Sequence, residues 1–191
     1  MSLWAVALDG SRVAVDWDRS AFEYLTAVTW DPHGPLIAVQ SRDQRELQVL
    51  AVDPATGQAS VRFRDTDRDW ISLIPGIPRY TASGALIWAC DRGGARRLIV
   101  DGEPVTPDDL QVREILDVDG DIVLFAASTD QPEIHLWTYT SGGGLDRVTT
   151  EPGVHTGHRG GGTTTICRQA LGQPGTTVMV DHASSPGRAR N

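Results

Sequence analysis

Lysine is absent from this 191-residue sequence, and glutamate is scarce. All 17 basic residues are arginine, and only 6 of the 25 acidic residues are glutamate. Lysine and glutamate are strong helix formers on protein surfaces, so their scarcity argues against a helical bundle. The net charge is −8 and the main basic cluster is the pair Arg96-Arg97, which makes nucleic acid a poor partner.

Long hydrophobic runs are also missing. The longest apolar stretches have about six residues, as in Ile122 to Ala127, whereas a transmembrane helix needs roughly 20. No charged-then-apolar signal segment opens the sequence. We therefore expect no membrane partner and a soluble, cytoplasmic protein.

Cysteine is nearly absent. Cys90 and Cys167 lie far apart and form no Cys-x-x-Cys motif, a pattern typical of neither a zinc site nor a disulfide-rich secreted domain. We interpret both residues as reduced, buried thiols in strands. His155 and His158 alone are too few ligands for zinc, and we expect them at a strand and its turn.

The other candidate ligand sites lack neighbouring residues that such sites require. The segment Asp65 to Asp69 resembles the start of a calcium loop, but Trp70 stands where that loop needs glycine. Gly142 to Gly144 and Gly160 to Gly162 are followed by no lysine and no helical pattern, so we interpret both as hairpin turns rather than phosphate sites. The sequence predicts no metal and no cofactor.

The residues that are present are typical of strands joined by tight turns. The chain has 20 glycines and 11 prolines together with many valines and threonines. No window of 12 or more residues keeps the 3.6-residue period of a helix, so we predict an all-β fold. The predicted strands are Leu3 to Leu8, Arg12 to Trp17, Tyr24 to Trp30, Leu36 to Ser41, Glu46 to Asp53, Ala59 to Arg64, Trp70 to Ile74, Ala85 to Cys90, Arg97 to Asp101, Arg113 to Asp117, Asp121 to Ala127, Glu133 to Thr140, Asp146 to Thr149, Thr163 to Arg168 and Thr176 to Val180.

One unit of this pattern repeats. Ile37 to Val52 aligns without a gap on Leu124 to Tyr139, and a looser third copy starts at Ile87. The first two copies share a serine, an aspartate, a glutamine and a glutamate at equivalent positions, namely Ser41/Ser128, Asp43/Asp130, Gln44/Gln131 and Glu46/Glu133. Repeats of this size that each hold about four short strands are typical of β-propeller blades.

We therefore predict a partial β-propeller over residues 1–182, with about three full four-stranded blades and two partial ones. The blade units lie at about 1–20, 21–64, 65–110, 111–150 and 151–182, and a flexible tail follows at 183–191. Propellers close at roughly 4 to 8 blades, and closure covers the face of each blade. We expect either a larger propeller of which this chain is part, or copies that associate through their open blade edges.

The serial order of these segments resembles the propeller domain of the dipeptidyl-peptidase IV and prolyl-oligopeptidase group of serine peptidases, in the form common in actinobacteria. The segments that carry the resemblance are Glu23 to Gln44, Asp65 to Leu73, Gly84 to Leu98, Val105 to Ile115, Asp121 to Trp137 and Arg147 to His155. The resemblance implies an eight-bladed propeller over an α/β-hydrolase domain. It also implies removal of dipeptides from peptide N-termini, often after proline, with the chemistry in the hydrolase domain.

Two departures limit what this chain can do alone. Dipeptidyl-type members carry a Glu-Glu pair for the substrate amine, and the hydrolase domain carries a Gly-x-Ser-x-Gly elbow; this sequence has neither. We therefore expect an inactive chain whose propeller gates and orients a peptide substrate for a hydrolase domain absent from it. The alternative is a stand-alone protein-interaction propeller closed by self-association.

Four residues are candidates for contacting a peptide. Arg42 and Asp43 follow a second strand, where the connecting loop points toward one mouth of a propeller, although the aspartate would equally cap its own turn. Arg79 lies near the place where the resemblance puts an arginine.

Trp70 is the fourth candidate, because it sits beside an aspartate in a charged segment; Trp17 shares that setting and is also a candidate for the rim. The other tryptophans with a predicted place are Trp30, Trp88 and Trp137, which we expect to pack between blades.

Overall fold

A computed structural model describes residues 2–182. All regular secondary structure in that part of the chain is β-strand. The predicted tail at 183–191 lies outside the described residues. Within 2–182 there is no helix that could cross a membrane. The strands are β1 (Trp4–Val6), β2 (Arg12–Ala14), β3 (Tyr24–Asp31), β4 (Gly34–Gln40), β5 (Glu46–Val52), β6 (Ala59–Thr66), β7 (Arg79–Tyr80), β8 (Leu86–Arg92), β9 (Ala95–Val100), β10 (Glu103–Pro104), β11 (Gln111–Asp119), β12 (Ile122–Ser128), β13 (His135–Thr140), β14 (Gly144–Arg147), β15 (Val154–Gly160), β16 (Thr163–Ala170) and β17 (Gln173–His182).

These strands form separate antiparallel sheets in which consecutive strands pair with each other. Three sheets have four strands, in the orders β3-β4-β5-β6, β7-β8-β9-β10 and β11-β12-β13-β14. A two-stranded sheet, β1-β2, precedes them, and a three-stranded terminal sheet, β15-β16-β17, follows. The predicted all-β, partial propeller fold with about three full blades and two partial ones is confirmed.

The second strand of each full sheet is buried on both faces. In β4, Leu36 and Ala38 pack into the core shared with the second sheet, whereas Ile37 and Val39 pack with the segment that follows β2. A strand covered on both sides needs apolar residues at every position rather than alternate ones. This explains why β4, β8 and β12 read as continuous apolar runs.

The repeat found in the sequence is present as two equivalent hairpins, β4-β5 and β12-β13. The aligned residues lie on corresponding strands, but the pairing is offset by one residue: Ile37 pairs with Leu50, whereas its counterpart Leu124 pairs with Thr138 rather than with Trp137. The turns between the strands differ, however. In the first turn Gln44 has a φ of 61°, whereas in the second the Gln131-Pro132 peptide bond is cis.

The prediction that Trp70 to Ile74 forms the opening strand of the second sheet is wrong. This segment is an irregular loop, and the first strand of that sheet is the two-residue β7. Pro75 and Pro78 cannot donate to a sheet ladder. The loop instead bonds to the preceding sheet, where the Ile71 N–H donates to the Gln44 carbonyl at 2.8 Å.

The terminal sheet also differs from the prediction. His155 and His158 were expected at a strand and its turn, but both lie within β15, which opens the terminal sheet and pairs with β16. The last strand, β17, spans ten residues rather than the shorter Thr176 to Val180 segment.

Candidate functional site

Three of the four candidate site residues lie at one end of the first four-stranded sheet. The β4-β5 turn carries Arg42 and Asp43, and the loop that leaves β6 carries Trp70. Successive strands run in opposite directions. The β4-β5 turn, the start of β3 and the end of β6 therefore lie at the same end of the sheet. The fold therefore brings these three residues to one face of the molecule.

Trp70 lies between two adjoining surface depressions, which together we call the Trp70 cleft. One has a volume of about 550 Å³ and is lined by Trp70 with Arg45, Asp67, Asp69 and Asp91, among others. The other, of about 630 Å³, lies between Trp70 and the start of β3.

Apolar side chains dominate the second of these depressions. Trp70 is 64% exposed, and Tyr24 and Leu73, which also line the cleft, are exposed as well. The cleft thus combines apolar surface with carboxylates and one guanidinium.

Hydrogen bonds to the first sheet hold the loop that carries Trp70. The buried side chain of Gln40 donates from Nε2 to the Ile71 carbonyl at 3.2 Å. The Asp67 N–H donates to the Arg45 carbonyl at 3.0 Å. The Asp67 carboxylate in turn accepts the Trp70 N–H at 3.1 Å. The indole is therefore carried on a loop whose backbone is fixed on both sides of Trp70.

Arg42 and Asp43 are exposed but already have partners. Arg42 forms an ion pair with Glu23 at 3.0 Å, and the hydrogen bond that it donates to this carboxylate raises the pKa of the Arg42 guanidinium. Asp43 Oδ1 accepts the Ser41 hydroxyl at 2.6 Å and the Arg45 N–H at 3.2 Å. These bonds, the hydroxyl first, lower the pKa of Asp43. Asp43 therefore caps its own turn.

Arg79 lies away from these three residues. It pairs with Ile87 near the start of β8, whereas Arg92 at the far end of β8 reaches the first sheet beside the Trp70 cleft. Arg92 lies five residues beyond Ile87 along the strand, a distance of about 16 Å. The structure does not join Arg79 to the cleft.

A carboxylate that was not predicted to be buried lies beneath the cleft. Asp65 is 5% exposed and faces Arg92 across the seam between the first two sheets, at 4.0 Å. Burial raises the pKa of Asp65, and Arg92 partly offsets that shift. The neighbouring Cys90 thiol is also buried, and its desolvation raises its pKa to about 11. The predicted strand Ala59 to Arg64 stops one residue before Asp65, whereas β6 extends to Thr66, so the sequence pattern did not mark Asp65 as a strand residue.

His155 and His158 are not arranged to bind one metal ion together. His155 and His158 are three residues apart on β15, so their side chains point to opposite faces of the sheet. His155 is buried against the third four-stranded sheet, whereas His158 is exposed and contacts Asp117 at 3.1 Å. Across residues 2–182, no group of three or more ligand-type side chains is arranged to hold a metal ion.

The burial of the tryptophans agrees with the prediction for two residues and differs from it for two others. Trp88 is buried and Trp137 packs against the same core, as expected for residues between blades. Trp30, expected there too, is 64% exposed, because the two-stranded first sheet leaves part of the β3 face uncovered. Trp17, a candidate for the rim, is buried, and its Nε1 donates to the Phe22 carbonyl at 3.1 Å.

The sequence matches the dipeptidyl peptidase IV N-terminal region over residues 2–159, which is most of the chain. The chain belongs to the dipeptidyl peptidase IV N-terminal region family. This membership confirms the resemblance drawn from the order of the sequence segments. It makes the chain a component of a dipeptidyl peptidase IV-like protein.

Solved structures show the same fold. Dipeptidyl peptidase 4 from Porphyromonas gingivalis matches 95% of this chain and 28% of its own length, with a TM-score of 0.77 and 15% identity. A protein described as a dipeptidyl aminopeptidase IV from Bacteroides ovatus matches 92% of this chain and 30% of its own, with a TM-score of 0.69 and 15% identity. This member of the dipeptidyl peptidase IV N-terminal region family thus spans less than a third of the length of either relative.

Proposed function

We propose that this part of the N-terminal region gates and orients peptide substrates for an α/β-hydrolase domain that lies outside the chain, within a dipeptidyl peptidase IV-like serine peptidase. Family membership supports the peptidase class, and both solved relatives are named as dipeptidyl peptidases. The sequence has no Gly-x-Ser-x-Gly elbow, so the nucleophile of such an enzyme belongs to another part of the protein.

The observation that carries the proposal is the Trp70 cleft. An exposed indole and the exposed Leu73 offer apolar surface to a peptide side chain, while Arg45 and the nearby aspartates offer hydrogen-bonding groups. Sites for small ligands combine apolar walls with a few fixed polar groups in this way. The loop is anchored through Gln40 and Asp67, so the surface is formed before a ligand arrives.

Peptide binding by the isolated chain tests the proposal. We expect proline-containing tripeptides to shift the NMR signals of residues that line the Trp70 cleft. The substitution Trp70→Ala is expected to abolish these shifts. Trp30→Ala is the matched control, because Trp30 is equally exposed but lies outside the cleft. Shifts that persist in Trp70→Ala, or peptide concentrations in the millimolar range that cause none, would contradict the proposal.

Catalysis provides a separate test. The purified chain is expected not to release the chromophore from a Gly-Pro chromogenic substrate, because the family's nucleophile elbow is absent from the sequence. Turnover that co-purifies with the chain and is lost on treatment with a serine-directed inhibitor would contradict this expectation.

A second candidate function is a protein-interaction propeller closed by self-association. The observation that favours it is exposed apolar surface on both end regions: Val28 and Trp30 on β3, and Val178 and Val180 on β17. Association of two copies through these faces would cover them. Light scattering distinguishes the candidates, since a stable symmetric dimer favours self-association, whereas a monomer or a polydisperse sample favours a segment of a larger propeller.

A further inference from the structure

Two buried histidine rings stack across the seam between the third four-stranded sheet and the terminal sheet. His135 on β13 and His155 on β15 have ring centroids 5.1 Å apart and an interplanar angle of 29°. Both residues are at most 3% exposed. The backbone joins the sheets at the same place, because Ile134 forms an isolated parallel bridge with Val154. The ring pair therefore forms part of the contact that docks the terminal sheet.

In its neutral form, His135 has a hydrogen-bond partner for each ring nitrogen. The Glu133 carboxylate lies 2.9 Å from His135 Nε2 and can only accept, so Nε2 carries the hydrogen. Nδ1 then accepts from the Thr149 hydroxyl at 3.2 Å. The same hydroxyl oxygen accepts the Leu136 N–H at 3.0 Å. Both ring nitrogens of His135 are thus satisfied without a positive charge.

His155 has a hydrogen-bond partner at only one of its ring nitrogens. Its Nδ1 lies 2.9 Å from the Ile134 carbonyl, which can only accept, so Nδ1 carries the hydrogen and Nε2 has a free lone pair. Nε2 is fully buried, and nothing within residues 2–182 bonds to it. A proton added at this atom would place an unpaired N–H and a positive charge in a buried position.

The charged groups around His155 do not offset the free-energy cost of protonating its Nε2. Desolvation is the main cause that lowers the pKa of His155, and the neighbouring His135 and Arg168 act in the same direction. Glu151 opposes them, but its carboxylate is held by Arg168 at 3.0 Å. Glu133, the other nearby carboxylate, is bonded to His135 rather than to His155.

We propose that the His135–His155 pair makes docking of the terminal sheet depend on pH, and that this sheet separates locally from the third four-stranded sheet when His155 gains a proton. The free His155 side chain titrates near 6.5. Below that pH the separated form binds a proton that the docked form excludes. The equilibrium constant for this local opening therefore increases by up to about tenfold for each unit by which the pH falls.

Hydrogen exchange of the whole chain tests this proposal. Exchange is followed between pH 7.5 and 5.5 and corrected for the intrinsic rate at each pH. We expect amides of β15 and β16 to lose protection by roughly tenfold for each unit below about 6.5, while amides of β4 and β5 keep theirs. Equal loss in every sheet would show ordinary acid unfolding and overturn the proposal, as would unchanged protection in β15.

Variants link the effect to His155. His155→Asn keeps a side-chain N–H for the Ile134 carbonyl but cannot take up a proton, so it is expected to abolish the pH dependence in β15. His155→Phe keeps the stacked ring and provides the same test if the asparagine variant does not fold. The matched control is His33→Asn, at an exposed histidine in the turn between β3 and β4 and not at this seam, which is expected to behave as the unsubstituted chain does. A pH dependence that survives both His155 variants, or is lost in the control, would overturn the proposal.

Discussion

The carboxylate of Asp31 accepts a hydrogen bond from the backbone N–H of Tyr80, with 2.8 Å between Oδ2 and N. Asp31 ends β3 in the first four-stranded sheet and Tyr80 ends β7 in the second, so this bond crosses the seam between them. The other carboxylate oxygen accepts the His33 N–H at 2.9 Å. One side chain thus fixes a hairpin turn and joins two sheets.

Removing this carboxylate is expected to weaken the seam. Asp31→Ala leaves the N–H of Tyr80 without its acceptor, so we expect the free energy of unfolding to fall by about 1–3 kcal/mol. Urea denaturation followed by tryptophan fluorescence measures the change. Asp108→Ala, at an exposed loop position, is the control and is expected to change stability by less than about 0.5 kcal/mol. Equal effects of the two substitutions would contradict a role for the Asp31 bond.

Gly76 is required by a close approach between the loop after β6 and β11. Its φ is +88°, and a Cβ atom there would overlap the Ile115 carbonyl oxygen. Gly102 has nearly the same φ, +89°, but open space around it. We expect Gly102→Ala to cost about 1–2 kcal/mol from the backbone conformation alone, and Gly76→Ala to cost about 2–4 kcal/mol because the clash is added. Similar losses in the two variants by thermal denaturation would show that the close approach is unimportant.

The two cysteines are expected to react at different rates. Cys90 is buried and its pKa is raised to about 11 by desolvation, so very little thiolate is present at pH 8. Cys167 is half-buried in the terminal sheet. Alkylation with iodoacetamide at pH 8, read by peptide mass spectrometry, should modify Cys167 first and leave Cys90 intact until the chain is unfolded. Early modification of Cys90 in the folded chain would contradict its burial.

Asp65 is expected to make folding less favourable as the pH rises. Desolvation raises its pKa above 3.8, so above that pH the folded chain holds a proton that the unfolded chain has lost. The free energy of unfolding therefore decreases as the pH rises through this window. Asp65→Asn removes the charge, and we expect it to raise the free energy of unfolding at pH 7 by up to about 1 kcal/mol. A lower stability of Asp65→Asn at pH 7 would show that the pair with Arg92 outweighs desolvation.

The strand pattern of the fold was largely predictable from local sequence. Ile37 to Val52 and Leu124 to Tyr139 carry apolar residues at matched positions, and the structure turns both into second and third strands of full sheets. The segment Trp70 to Ile74 has a similar pattern but forms a loop. Its backbone is held by Gln44 and by the buried Gln40 side chain, and these contacts between the loop and the first four-stranded sheet cannot be read from a local pattern.

The candidate site was predictable only in part, for the same reason. Arg42, Asp43 and Trp70 were found because turns and charged segments mark surface positions in a sequence. Arg79 was placed from the family resemblance, and the long loop before it carries it toward the other end of the second sheet. The burial of Asp65 was not predicted, and Trp30 was wrongly expected to pack between blades, because the exposure of both residues depends on which neighbouring sheet covers them.

The terminal sheet pairs β17 with β16 alone among the described strands, so one row of backbone N–H and C=O groups along ten residues has no ladder partner in residues 2–182. Val178, Met179 and Val180 lie exposed on this strand. Proteins commonly protect such edges with lysine, and this chain contains none. At high concentration, the isolated chain is therefore expected to aggregate edge to edge through β17.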